Sequence, residues 1–288
     1  MLAALLIVFR EVFEAGLIVG IVMAVTAGIH SRGWWIGGGV AVGVLGACVV
    51  ALFAASLSAA FEGFGQELFN AAILLVAVAM LTWHNVWMAR HGRELAAEMR
   101  AAGQAVQAGA KSLAGLAVVV AVAVLREGFE VVLFLYGVAA ASDPGSGLAI
   151  FAGGAIGLAL GVVTCLLTYL GLLTIPQRHL FAVTTVMLAF LAAGMAAQAV
   201  AFLEAANALT ALGSILWDSS WLLSDRSMLG RALHTLVGYS DQPTALQFLV
   251  YLATLAVTFA LLKLFGPSRL PGPPQSDGVT QGRSARPA

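Results

Sequence analysis

The sequence predicts an all-α polytopic membrane protein with seven transmembrane helices, arranged as a 3+3 inverted repeat plus one extra helix. Three observations predict it. The chain of 288 residues is 61% hydrophobic and 10% charged, with a mean hydropathy of +0.97, whereas a soluble domain carries roughly 25% charged residues. Seven stretches of about twenty or more mainly apolar residues are each long enough to cross the hydrocarbon layer. Finally, Arg10-Glu11-Val12-Phe13-Glu14 returns as Arg126-Glu127-Gly128-Phe129-Glu130 at an offset of 116 residues, an offset that also carries Leu17 onto Leu133.

The first span is predicted over 2–29 and contains the first motif. It lacks a basic leading region, and Glu11 and Glu14 interrupt its apolar run, so it reads as a retained helix and not as a cleaved leader. His30-Ser31-Arg32-Gly33 ends it. The second span, 34–58, ends at the segment from Phe61 to Gln66, which includes Glu62. The third, 68–88, is followed by a polar connection from Arg90 to Lys111. The fourth, 113–140, contains the second motif and stops at the turn signal Ser142-Asp143-Pro144-Gly145. The fifth covers 148–174 and the sixth 181–208, parted by Pro176-Gln177-Arg178-His179. An outer connection, 210–245, carries Trp217 and Trp221, residues suited to the membrane interface, and leads into the seventh span at 246–265. Residues 1–265 thus form one domain, with repeat one at about 1–112 and repeat two at about 113–209. Residues 266–288 are rich in Pro, Gly and Ser and read as a disordered cytoplasmic tail.

Lys and Arg set the direction. Arg32, Arg90, Arg93, Arg100, Lys111 and Arg178 fall in alternate connections, and Arg269, Arg283 and Arg286 in the tail, while the connections after the second and fourth spans hold no Lys or Arg. The positive-inside rule then places the N-terminus outside and the C-terminus inside. Spans one and four run in opposite directions, which makes the repeat inverted. Such repeats hold their solute near the midplane, where the halves meet.

Each motif puts Arg, Glu and Glu within about a 100° arc of one helix face. A single charge at mid-membrane costs about 2.5–3.5 kcal/mol on insertion scales, so six of them mark a path or site for a polar solute. Four carboxylates against two guanidinium groups leave a surplus of negative charge, which attracts a cation. Hard oxygen ligands suit Fe(III), Mg, Ca and Mn. The predicted metal ligands are Glu11, Glu14, Glu127 and Glu130, with Arg10 and Arg126 neutralising or orienting them. Weaker candidates for the mouth or for a relay are Glu62, Glu67, Glu204 and His84. For the three acids the plain alternative is a solvated or interfacial carboxylate, and for His84, beside Asn85, it is a buried hydrogen-bonded histidine. Cys48 and Cys165 have no metal-ligand spacing and read as small buried thiols. The glycine series Gly37-Gly38-Gly39 and Gly153, Gly154, Gly157, Gly161 suits close helix packing. A net charge of zero points to no nucleic-acid partner, and no Gly-rich phosphate loop with a following Lys-Ser/Thr is present to use ATP.

Paired R-E-x-x-E motifs in spans one and four resemble those of the oxidase-dependent iron permeases, which include the fungal high-affinity ferric permease and the bacterial EfeU-type permeases. Gln66-Glu67-Leu68-Phe69, Leu81-Thr82-Trp83, Trp87-Met88, Ala192-Ala193-Gly194, Phe202-Leu203-Glu204-Ala205 and Gly238-Tyr239 are similar to that family too. The resemblance implies a transporter and not an enzyme, importing iron through the cytoplasmic membrane, with the motif glutamates handling the ion. It implies no permanently bound cofactor, iron as the substrate, and delivery as Fe(III) by periplasmic iron-oxidising or iron-binding partner proteins. The first motif has Val12 where the family has glycine, which puts the helix approach there in question. The competing reading is a proton-coupled carrier of another solute, with the same glutamates forming a proton relay.

Overall fold

The computed structural model describes residues 1–60, 65–142, 145–171, 177–210, 212–225 and 227–265. Glu62 and the tail from residue 266 onward lie outside these. Eight helices account for most of the described chain: α1 (Leu2–Val25), α2 (Arg32–Ala60), α3 (Gln66–Gln107), α4 (Leu113–Ala140), α5 (Gly147–Tyr169), α6 (Gln177–Ala205), α7 (Met228–Val237) and α8 (Ala245–Phe265). No strand occurs among the described residues beyond an isolated bridge between Ile215 and Thr244.

Five helices, α2, α3, α5, α6 and α8, are long and apolar enough to cross a membrane by length and composition. α1 and α4 are also long, at 24 and 28 residues. They fall outside that group because any 18 consecutive residues within them include all three charges of a motif. The feature that withholds these two helices from a hydropathy criterion is therefore the one that carries the chemistry.

Three predictions of extent are corrected. The supposed polar connection from Arg90 to Lys111 is helical as far as Gln107, so α3 runs for 42 residues. Leu95, Met99, Ala102 and Val106 recur at helical spacing through it and pack into an apolar cluster with α1, α2 and α4. The outer connection contains α7, capped by the Ser227 hydroxyl, which accepts from the Gly230 amide at 2.9 Å, and closed by Gly238 at φ +72°. α1 ends at Val25, before the turn made by Gly28 at φ +91°. Cys48 is exposed on α2 instead of buried, because α2 lies at the periphery and packs mainly on α4.

α1 packs most extensively on α5, α2 on α4, and α3 on α6, while α8 lies against α6 and α3. Burying apolar side chains drives little association in lipid, so close backbone approach matters more. Two glycine seams supply it. On α2, a Cβ at Gly39 would stand 2.5 Å from the Ala117 carbonyl oxygen of α4, and one at Gly43 would stand 2.7 Å from that of Ala121. On α5, Gly153 abuts the backbone of Met1, and a Cβ at Gly157 would stand 2.5 Å from the Leu5 oxygen of α1. The first turns of the α5 series and the α2 series thus repeat one contact on two motif helices.

At the centre, α1, α3 and α4 meet. Two apolar clusters fill this region, one on either side of the motif level. Ala3, Ile7, Leu81, Phe134, Val138 and Met195 belong to one. Ile18, Val22, Met99, Leu116, Val120 and Val124 belong to the other. Along α1 the order is Ala3 and Ile7, then Glu11 and Glu14, then Ile18 and Val22. Along α4 it is Val138 and Phe134, then Glu130 and Glu127, then Val124 and Val120. The motif charges lie between two apolar layers.

Candidate metal centre

Each motif builds the same local arrangement. The i,i+4 spacing puts Arg10 Nε 3.0 Å from Glu14 Oε1 and Arg126 Nε 3.4 Å from Glu130 Oε1. The adjacent glutamate pairs more loosely in the first copy, with Arg10 Nη1 3.5 Å from Glu11 Oε1, and at equal distance in the second, with Arg126 Nε 3.4 Å from Glu127 Oε1. α1 and α4 touch, so the two sets share one centre. Glu11, Glu14 and Glu127 are each no more than 2% exposed, and Glu130 is 7% exposed.

His84 of α3 joins the two copies. Its Nδ1 contacts Glu130 Oε2, and its Nε2 lies 3.5 Å from Glu14 Oε2 and 3.8 Å from Glu11 Oε2. Its ring meets Phe134 edge-on, with centroids 6.5 Å apart. Glu11, His84, Glu127 and Glu130 each offer one ligand atom, and these atoms all lie within 4.8 Å of one another. Glu11 Oε2 and Glu127 Oε2 are buried without a hydrogen-bond partner, while Glu14, outside that group, turns its equally buried oxygens to Arg10 and His84. Buried carboxylate oxygens left bare are costly. Their convergence on one point is what a cation would satisfy, with oxygen donors from the glutamates and one imidazole nitrogen.

The second copy has an open side. The Arg126 side chain is 33% exposed, whereas that of Arg10 is 2% exposed. The Arg126 guanidinium carbon stands 4.4 Å from the centre of the Trp87 ring, and Nη2 approaches Met88 Sδ at 3.7 Å. Trp87 in turn stacks on His91, with centroids 5.1 Å apart. Sequence reasoning assigned no role to Trp87 or Met88. Their spacing of three and four residues from His84, on the same face of α3, was the available signal.

The outlying candidates do not join the cluster. Glu67 is exposed in the first turn of α3, where a carboxylate complements the helix dipole. Glu204, at the end of α6, accepts hydrogen bonds from Thr244 Oγ1 at 2.9 Å and Gln247 Nε2 at 2.8 Å, tying α6 to the start of α8. In the outer connection, Asp225 and Asp241 each accept from the other's backbone amide. Burial, and the neighbouring Asp241 carboxylate, push the Asp225 carboxyl above its usual range.

The position in question at Val12 is resolved by its neighbour. A Cβ on Gly161 of α5 would stand 2.8 Å from Val12 Cγ1, so the small residue is on the partner helix. In the second copy the motif keeps its glycine, and a Cβ on Gly128 would stand 2.5 Å from the Cβ of Ala47 on α2.

The sequence pattern of the iron permease FTR1 family matches residues 1–266. A protein of Shigella sonnei (strain Ss046) named ferrous iron permease EfeU is 32% identical over 293 residues, spanning 99% of this chain and 100% of its own. The protein of that name from Escherichia coli O157:H7 gives the same figures. The one from Yersinia pestis is 32% identical over 273 residues, covering 93% of this chain and 95% of its own. No solved structure matches the chain. With apolar helices suited to crossing the bilayer and near full-length likeness to permeases, this multi-pass inner-membrane protein belongs to the iron permease FTR1 family.

Proposed function

We propose that the chain imports iron through a single occluded site formed by Glu11, Glu14, Glu127 and Glu130 together with His84. The observation that carries the proposal is the meeting of both motifs on one buried point, with carboxylate oxygens left bare around it. α1 and α4 act as the first and fourth of seven crossings, beside the five apolar helices, with the N-terminus outside. The reciprocal packing of α1 on α5 and of α2 on α4, through glycine seams of like spacing, supports a 3+3 inverted repeat with α8 as the added span. Rocking of the halves parts one apolar layer at a time. Arg10 and Arg126 hold their glutamates in place and leave the cluster with a surplus of two negative charges when His84 is neutral.

In the first form of this reading, the cluster handles Fe(III), a hard ion suited to carboxylates, after a periplasmic partner has oxidised Fe(II). A second form has specific support: the ion is Fe(II). His84 adds a nitrogen donor, and the surplus of two negative charges balances a divalent ion. The relatives' printed name, ferrous iron permease, agrees with it.

The test is iron uptake into a transport-deficient bacterial strain expressing the chain, at matched membrane levels, with Glu14→Gln and Glu130→Gln alongside. Wild type is expected to take up iron and both variants to lose uptake. Uptake at the wild-type rate in either variant would sink the shared site. A proton-relay carrier would instead move a solute with which iron does not compete. Supplying ferrous iron under anoxic reductant, against a ferric chelate, separates the two forms.

A further inference from the structure

We propose that a small cavity at the end of the bundle where α1 begins is a receiving site for hydrated ferrous iron, with His234 and Gln198 as its ligands. This rests on the iron-import reading and selects its divalent form. The cavity measures about 40 Å³ and is lined by Ala3, Val138, Ser142, Met195, Gln198 and His234, among others. A water needs roughly 10–15 Å³ of such space, so an ion with part of its hydration shell fits.

His234 is held there by construction. It lies on α7, whose closing residue Gly238 touches Gly194 of α6 so closely that a Cβ on either would overlap the other's backbone. Tyr251 OH donates to the Val237 carbonyl at 2.5 Å, and Tyr239 OH donates to that of Leu223 at 2.8 Å, fixing the segment further. His234 Nδ1 lies 2.7 Å from the Tyr239 carbonyl oxygen. A carbonyl can only accept, so Nδ1 carries the hydrogen, which leaves Nε2 as the ring nitrogen a metal would take. Metal-binding histidines are oriented in this way. Gln198 makes no hydrogen bond among the described residues, which leaves its amide oxygen free.

The donors are an imidazole nitrogen, an amide oxygen, and the Met195 thioether beside them. None of the lining side chains is a carboxylate, which favours a divalent over a trivalent ion; Asp225 acts on His234 from outside the lining. A divalent ion is held through imidazole and its remaining waters, weakly enough to be passed on. Below the cavity, α1 continues from Ala3 to Ile7 to Glu11, and α4 from Val138 to Phe134 to Glu130. At 1.5 Å per residue the cavity stands about 12 Å from the glutamate level, with one apolar layer between.

The test uses the full chain. Anaerobic ferrous uptake is measured for wild type, His234→Ala and Gln198→Ala at matched membrane levels. His234→Ala is expected to raise the half-saturating iron concentration roughly tenfold while leaving the maximal rate within about twofold. In parallel, ferrous binding is measured by equilibrium dialysis on the purified Glu127→Gln/Glu130→Gln chain, with and without His234→Ala. The cavity predicts residual binding that His234→Ala removes. Unchanged half-saturation in His234→Ala, or residual binding indifferent to it, overturns the proposal. Equal competition by a ferric chelate overturns the choice of ion. A wild type that moves no iron overturns the import reading instead, and the dialysis still decides the cavity.

Discussion

Arg10 and Arg126 hold the same place in the same motif, yet one is sealed at 2% exposure and the other leaves 33% of its side chain open. The difference comes from the surroundings of each helix. α1 is enclosed by α5, α4 and α3, with α6 and α7 at its end, whereas α4 packs mainly on α2, α1 and α3. Arg10 therefore depends on its own glutamates for compensation, while Arg126 leans on Trp87 and Met88 as well. Equal chemistry in two unequal settings gives one fixed arm of the cluster and one arm near an edge.

The widest separation between the copies is expected from Arg10→Gln and Arg126→Gln. The first leaves Glu14 buried without its cation, at a cost of about 3–5 kcal/mol. The second removes a partly exposed pairing worth about 1 kcal/mol or less. Thermal unfolding of the purified protein in detergent measures both, and equal losses would break the comparison. Next is His84→Gln, which removes the group that contacts Glu14 and Glu130 together. We expect about 1–3 kcal/mol of destabilisation from the buried groups it leaves unpaired, and a loss of iron uptake by the folded variant. Full uptake would show that the two arms need no bridge.

The glycine exchange gives a sharper comparison. Gly128→Val should cost about 1–3 kcal/mol by overpacking against Ala47, and Ala47→Gly should recover part of it. Gly161→Ala should clash with Val12, and Val12→Gly should relieve it. A double-mutant cycle on each pair is expected to show coupling of about 0.5–3 kcal/mol; additivity in either pair would mean that the seams do not compensate. The smallest effect is expected from Trp87→Leu, which removes a cation–π contact worth about 0.5–2 kcal/mol. It should alter the iron concentration for half-maximal uptake severalfold with little change in unfolding temperature. An unfolding loss as large as that of Arg10→Gln would place Trp87 in the scaffold instead.

The apolar segments and the doubled motif were legible in the sequence because membrane helices must be long and apolar, and charges inside them stand out. Helix ends were less so. The stripe Leu95, Met99, Ala102, Val106 is plain once sought, but the Arg and Glu residues between them mask it in any average over the segment. α7 carried its own signals, a serine cap and a closing glycine ten residues apart, inside a stretch otherwise read as a connection. His84 reads from the sequence only as a weaker candidate beside the plain alternative of a buried histidine, since a lone imidazole in an apolar run carries no mark of what faces it. Only the packing of α3 against α1 and α4 brings it to the glutamates. The compensation of Val12 by Gly161 was hidden for the same reason, its two halves being on helices distant in sequence.

The apolar layers on both sides of the glutamates bear on rate. Ile7 and Phe134 lie on one side of the glutamate level and Ile18, Val22 and Val124 on the other, so on the proposed path each crossing needs one layer to part at a time. Flux on that path would not be ohmic: it would be counted in cycles, each as long as a collective helix movement, on the order of microseconds to milliseconds. On that mechanism iron is metered in single ions, and a cell that needs more must make more copies of the chain.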